Sequence, residues 1–247
     1  MSNETSLEKM KSMKLYGMAR AFESTIEIGF EQLTIDELIA YLIDAEWDDK
    51  YNRKITRLIT SAKFRYKSSL EELKFSPKRK LDKNLIMRLS NCDWIKKKQD
   101  IVITGKTGTG KSFLACALGN KACINGYSTL YFNSNKLFNS MKMKKVEGTY
   151  EKEIDRIKKA DLLIVDDFGL ETFDNKTSMF LMEIIEDRHK LKSTIISGQY
   201  PIASWHELIK NPTIADAICD RFAFSAHKID LKGDTMRKKA VKEEGLT

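Results

Sequence analysis

The stretch GKTGTGKS at 105–112 restricts this chain more than any other feature. It fits the pattern G-x-x-x-x-G-K-[ST], with Gly105, Gly110, Lys111 and Ser112 in the fixed positions. At average residue usage, chance produces that pattern in a chain of this size with a probability of roughly 1%. Its context is also right, because the apolar run IVIT precedes it and the helical pattern SFLACALGNKA follows. A strand that turns through glycines into a helix gathers backbone N–H groups and the positive end of the helix around one small volume, which suits phosphate. The loop therefore predicts a nucleotide site built from Gly105, Lys106, Thr107, Gly108, Thr109, Gly110, Lys111, Ser112 and Phe113. Lys111 would reach the β- and γ-phosphates of ATP, and the Ser112 hydroxyl would ligate Mg²⁺.

Around this loop the chain alternates. DIVITG (100–105), STLYFN (128–133), DLLIVDD (161–167), STIISG (193–198) and AHKIDLKG (226–233) are short β-branched or apolar runs with helical stretches between them. That alternation predicts an α/β domain with a mostly parallel sheet covered on both faces. The third run ends in two carboxylates at the edge where open α/β sheets bind ligands. Asp166 would hold the water shell of the magnesium ion, and Asp167 would orient or polarise the attacking water.

The first part of the chain reads differently. Residues 6–70 follow a helical period, with Leu7, Met10, Lys14, Met18 and Phe22 at helical spacing and Gly17 as a weak point. A second helix starts at TIDE, where Thr34 and Glu37 have the spacing of a capping box. Its apolar face is expected to hold Leu38, Leu42 and Ala45, widened by Ile39, Ile43 and Trp47, with Trp47 in the core. FSPKRKLDKN (75–84) is expected to be a linker, which places a helical domain at 1–76 and the nucleotide-binding domain at 77–247.

Charge is distributed unevenly. Residues 1–49 carry 4 Lys/Arg against 11 Asp/Glu, residues 50–98 carry 16 against 4, and residues 99–247 carry 23 against 20. A concentrated positive stretch has the form of a footprint for a polyanion. Cys92, Cys116, Cys123 and Cys219 show no CxxC pairing and are not grouped with histidines, so reduced buried thiols and no structural metal are expected. No run approaches the roughly 18 apolar residues of a membrane span, and MSNETSLEKMKSMK has no apolar signal segment. The expected location is cytoplasmic.

The order of motifs resembles the AAA+ ATPases, and within them the IstB-type insertion-sequence ATP-binding proteins, relatives of the DnaC-type helicase loaders. The resemblance spans nearly the whole chain. It is carried by LYGMA (15–19), DAEWDDKYNRKITRLITSAKFRY (44–66), NCDWI (91–95), GKTGTGKSFLACALG (105–119), DLLIVDDFGLE (161–171), WHELIKNPTIADAICDRF (205–222) and IDLKGDTMRK (229–238). It implies an AAA+ P-loop core with a parallel five-stranded sheet, a small all-helical N-terminal domain and a minimal C-terminal lid. It assigns the polar sensor at the end of the fourth strand to Gln199, with Ser197 as the second choice. It assigns Arg221 as an arginine finger toward a neighbouring subunit, and Arg237 as a phosphate sensor within its own subunit. It further implies assembly on double-stranded DNA with ATP and activation of a transposase, in a homo-oligomer with ATP sites at subunit interfaces. The candidates for sequence-tolerant DNA contact are Arg53, Lys54 and Arg57 on the basic helix, and Lys142, Lys144 and Lys145 between the second and third strands.

The second acid departs from the family pattern, which has Glu where this chain has Asp167. Its shorter side chain points to looser water positioning and slow turnover. Three other readings share the phosphate loop. They are a helicase loader, a small-molecule kinase that needs neither Arg221 nor a basic helical domain, and a DNA-bound scaffold that does not hydrolyse ATP.

Overall fold

The computed structural model describes residues 3–29, 34–224 and 226–236. The chain divides into two compact units, Met1–Arg57 and Leu58–Thr247.

The first unit is helical. It contains α1 (Asn3–Ser12), α2 (Tyr16–Ile28) and most of α3 (Ile35–Ala62). The capping box at the start of α3 is formed: Thr34 N–H donates to Glu37 Oε2 at 2.8 Å, and Glu37 N–H donates to Thr34 Oγ1 at 3.3 Å. Gly17 allows α2 to lie against α3, because a Cβ there would sit 2.3 Å from the Ala45 carbonyl oxygen. The N-terminus of α2 is capped across the pair by Glu46, whose Oε2 accepts from Gly17 N–H at 2.8 Å and Met18 N–H at 3.1 Å. Arg53 closes this network by donating to Asp49 at 2.6 Å and lying over the Tyr16 ring. The LYGMA and AEW…NR segments are therefore two halves of one helix junction. Glu46→Ala removes a buried carboxylate that accepts two N–H groups. It should lower the protection of α2 amides in hydrogen exchange by about 2 kcal/mol, with the helix Asn175–Arg188 of the second unit unaffected.

Trp47 does not join a core. It is 71% exposed, and Ile39 and Ile43 are 50% and 54% exposed. Trp47 and Ile43 each stand two residues from Ala45, the point of close approach, and so roughly 200° around the helix from it. Their apolar character satisfies the helical period, but the packed side is set by Gly17 and Glu46.

The second unit contains α4 (Lys83–Ser90), α5 (Asp93–Lys96), β1 (Ile101–Gly105), α6 (Lys111–Ile124), β2 (Thr129–Asn133), α7 (Ser134–Val146), α8 (Tyr150–Lys159), β3 (Leu162–Phe168), α9 (Asn175–Arg188), β4 (Ser193–Gly198), α10 (Trp205–Leu208), α11 (Pro212–Ala223) and β5 (His227–Leu231). All five expected strands form, in one parallel sheet with the order β2-β3-β4-β1-β5. Alternate residues of each strand serve opposite faces. Val102, Leu163, Val165 and Ile196 pack with α7, α8, α9 and α11. Ile101, Ile103, Leu162, Ile164, Ile195, Ile229 and Leu231 pack with α4, α5 and α6. The four cysteines are buried thiols, and burial pushes Cys92, Cys116 and Cys219 up to about 11.

The segment expected to be a linker is packed instead. It carries a 3₁₀ turn, Pro77–Arg79, and Leu73, Arg79 and Leu81 are buried in the second unit. The compact division thus falls at Arg57/Leu58, earlier than residue 76, because Phe64, Leu70 and Leu73 cover the α6 side of the sheet. Among the described residues no helix is long and apolar enough to cross a membrane.

Candidate functional site

The phosphate loop leaves β1 and enters α6 through positive φ at Gly105 (147°), Gly108 (84°) and Gly110 (92°). Gly105 also has no room for a side chain, since a Cβ would lie 2.3 Å from the Leu231 carbonyl oxygen on the neighbouring strand. The loop is tied inward on one carbonyl. Lys106 O accepts from Thr109 N–H (3.3 Å), Thr109 Oγ1 (2.8 Å) and Lys111 Nζ (3.1 Å). Lys111 is 7% exposed, so its ammonium is held over the loop rather than in solvent.

The acids are placed by an irregularity in β3. Its pairing with β4 shifts register between Val165 and Phe168, and Asp167 takes a left-handed φ of 57°. Such a bulge re-aims side chains at a sheet edge. Asp166 is fully buried and accepts from Tyr131 Oη at 2.6 Å and from the Ser197 hydroxyl. Burial, and then the bond to Asp166, push the Tyr131 phenol well above its ordinary range. The Asp167 carboxylate receives Arg65 Nη1 at 2.9 Å and Asn133 Nδ2 at 3.0 Å, both on Oδ2.

The loop and Asp167 meet at one cavity of about 520 Å³, lined by Thr107, Gly108, Gly110, Lys111, Ser112 and Phe113 from the loop and helix, with the fully buried Asp166 outside its lining. Asp167, Phe168, Leu170, Gly198, Gln199, Arg65, Tyr66 and Met236 complete its wall. Ser112 and Asp166 fit a magnesium ion. They offer hard oxygen donors, and Asp166 is a buried carboxylate that accepts from two hydroxyls, Tyr131 Oη and Ser197 Oγ. The two sensor candidates separate in place: Gln199 lines the cavity, while Ser197 lies behind it on Asp166.

Arg221 does not line this cavity. It sits in the last turn of α11, where Nη1 donates to Ala217 O at 2.6 Å and Nη2 pairs with Glu186. Arg237 lies outside the described residues. The chain just before it is fixed to the loop, since Met236 N–H donates to Gly108 O at 2.8 Å.

The basic candidates differ in their surroundings. Lys54 and Arg57 are exposed. Arg53 is engaged by Asp49 and Glu46, Lys142 by Asp174 at 3.0 Å, and Lys144 by Glu153 at 3.3 Å, and Lys145 lies over Tyr150 and Phe180. Sequence reasoning missed Tyr131, Asn133 and Arg65. Asn133 ends β2 directly opposite Asp166 and Tyr131 lies two residues earlier, opposite Ile164, a register that only the folded sheet reveals. Arg65 was hidden in the basic run.

Comparison with known proteins gives concordant results. The family model described as IstB-like ATP binding protein matches residues 8–244. A putative insertion sequence ATP-binding protein of Sinorhizobium fredii, y4pL, is 41% identical over 233 residues, covering 94% of this chain and 95% of the relative. Among solved structures, AMPPCP-bound DnaA from Aquifex aeolicus superposes with a TM-score of 0.61 at 23% identity, covering 74% of this chain and 57% of that one. The DnaC helicase loader gives 0.57 at 20% identity, covering 69% and 100%. At those identities the structural likeness establishes an AAA+ P-loop fold and nothing finer.

Proposed function

The chain belongs to the family of IstB-like ATP binding proteins, and from that premise we propose that it is a magnesium-dependent ATPase that assembles on duplex DNA and recruits or activates a transposase. The observation that supports hydrolysis best is the convergence of Lys111, Ser112 and Asp167 on one cavity beside the buried Asp166. In this reading Lys111 and the loop N–H groups hold the β- and γ-phosphates. Ser112 and Asp166 hold Mg²⁺, which when bound neutralises charge on the phosphate oxygens. Asp167 orients a water whose oxygen bonds to the γ-phosphorus as the bond to the bridging oxygen breaks. Gln199 supplies a polar contact from the cavity wall, Ser197 keeps Asp166 in place, and Arg221 serves the site of an adjacent subunit.

Insertion-sequence relatives that match over almost the whole length favour a transposition role over helicase loading. The excess of 16 Lys/Arg over 4 Asp/Glu in residues 50–98 supports contact with a polyanion. Fluorescence anisotropy with a labelled duplex tests the nucleotide dependence. A non-hydrolysable ATP analogue should tighten duplex binding about tenfold or more over the nucleotide-free protein. Equal affinity in both states contradicts the proposal.

A further inference from the structure

The 3₁₀ turn Pro77–Arg79 sets a buried arginine against the back of the phosphate loop. Arg79 Nη1 donates to Lys74 O at 2.8 Å, and Nη2 donates to Thr109 O at 3.0 Å. Its backbone is fixed from two sides. Arg79 N–H donates to Ser76 O at 2.9 Å, and Lys232 N–H donates to Arg79 O at 3.1 Å. A Cβ on Gly110 would come 2.9 Å from Arg79 Nη2, so the glycine that the motif requires also makes room for the guanidinium. Among the described residues no carboxylate forms an ion pair with Arg79, and burial lowers its pKa. An arginine remains charged even so.

Thr109 O and Gly110 N–H belong to a single peptide group. No cis peptide bond occurs among the described residues, and in a planar trans peptide the C=O and N–H point in opposite directions. A cation that donates to the carbonyl draws electron density through the shared π system and makes the N–H a stronger donor. We propose that Arg79 is a positioning residue of the nucleotide site: held on Thr109 O, it orients and polarises the Thr109–Gly110 peptide so that Gly110 N–H binds a nucleotide phosphate more strongly. Arg79 acts from behind the loop and is not part of the cavity wall. The inference rests on the nucleotide-site reading above. It gives the segment KFSPKRK a task in phosphate binding, in place of a linker or a DNA contact.

The test is titration of the full-length wild type, Arg79→Gln and Arg79→Lys with Mg·ATP and Mg·ADP, combined with the amide proton shift of Gly110 in the ADP complex. Arg79→Gln should weaken both nucleotides about tenfold and move the Gly110 amide proton upfield. Arg79→Lys keeps the charge and should stay within about threefold of wild type, with the Gly110 shift largely retained. Should Arg79→Gln fail to fold, wild type supplies an independent readout. Phosphate on Gly110 N–H strengthens the Arg79–Thr109 bond in return, so the guanidinium protons of Arg79 should exchange with solvent more slowly once ADP is bound. Wild-type affinity in Arg79→Gln, equal losses in both variants with an unmoved Gly110 shift, or unchanged Arg79 exchange in wild type each overturns the inference. A wild type that binds neither nucleotide overturns the underlying site reading instead.

Discussion

Replacing Lys111 with alanine should abolish useful nucleotide binding, raising the Kd for Mg·ATP by about a hundredfold or more in a calorimetric titration. The size of the effect follows from where the ammonium sits. Lys111 is 7% exposed and anchored on Lys106 O, so its charge is already desolvated and aimed before ligand arrives. Phosphates entering the loop meet a fixed cation largely shielded from solvent, where an ion contact is worth more than in bulk water. Removing it takes away the cation that the loop itself aims at the phosphates. The fold should survive, because position 111 opens α6 and alanine is a strong helix former. A folded Lys111→Ala protein with an ATP affinity within threefold of wild type would remove the basis of the site assignment.

Arg221→Ala is expected to behave in the opposite manner. Nucleotide affinity should stay near the wild-type value while turnover on DNA falls about a thousandfold, the lower end for loss of an arginine finger. Arg221 is absent from the wall of its own chain's cavity and is held by Glu186 and Ala217 O, away from the phosphate loop's lining residues. Its contribution, on this reading, goes to a phosphate bound by a neighbour. Mixing the two inactive variants separates that from an action within one chain. A Lys111→Ala subunit still carries Arg221, and an Arg221→Ala subunit still carries a complete phosphate loop. Partial recovery of turnover in the mixture supports a finger acting between subunits. A fully active monomeric Arg221→Ala protein refutes it.

The parts of the molecule that were legible in the sequence are those with local signals. Ile101–Ile103, Leu162–Val165 and Ser193–Ile196 announced themselves as strands because β-branched and apolar residues run together where both sheet faces are covered. The loop at 105–112 was legible because glycines, lysine and serine must keep fixed spacing to curl around phosphate. Thr34 and Glu37 were legible because a capping box is complete within four residues. What escaped depends on partners distant in the chain. Arg65 meets Asp167 across 102 positions, and Arg79 meets Thr109 across 30. A basic run looks like one field of charge when read in order, whereas folding directs single members of it to different acceptors. Trp47 shows the complementary failure. Periodicity identifies an apolar residue on a helix, but only the opposing surface decides whether that residue is covered.

ATP is expected to convert this chain from a nucleotide-binding subunit into an assembly on duplex DNA, with catalytic sites completed between neighbours. Sedimentation velocity of the full-length protein with a long duplex tests it most directly, run with a non-hydrolysable ATP analogue, with ADP and without nucleotide. Complexes of several subunits on each duplex are expected with the ATP analogue, and small, weakly DNA-associated species in the other two samples. Single subunits on DNA in all three, or equal assembly in all three, would contradict it.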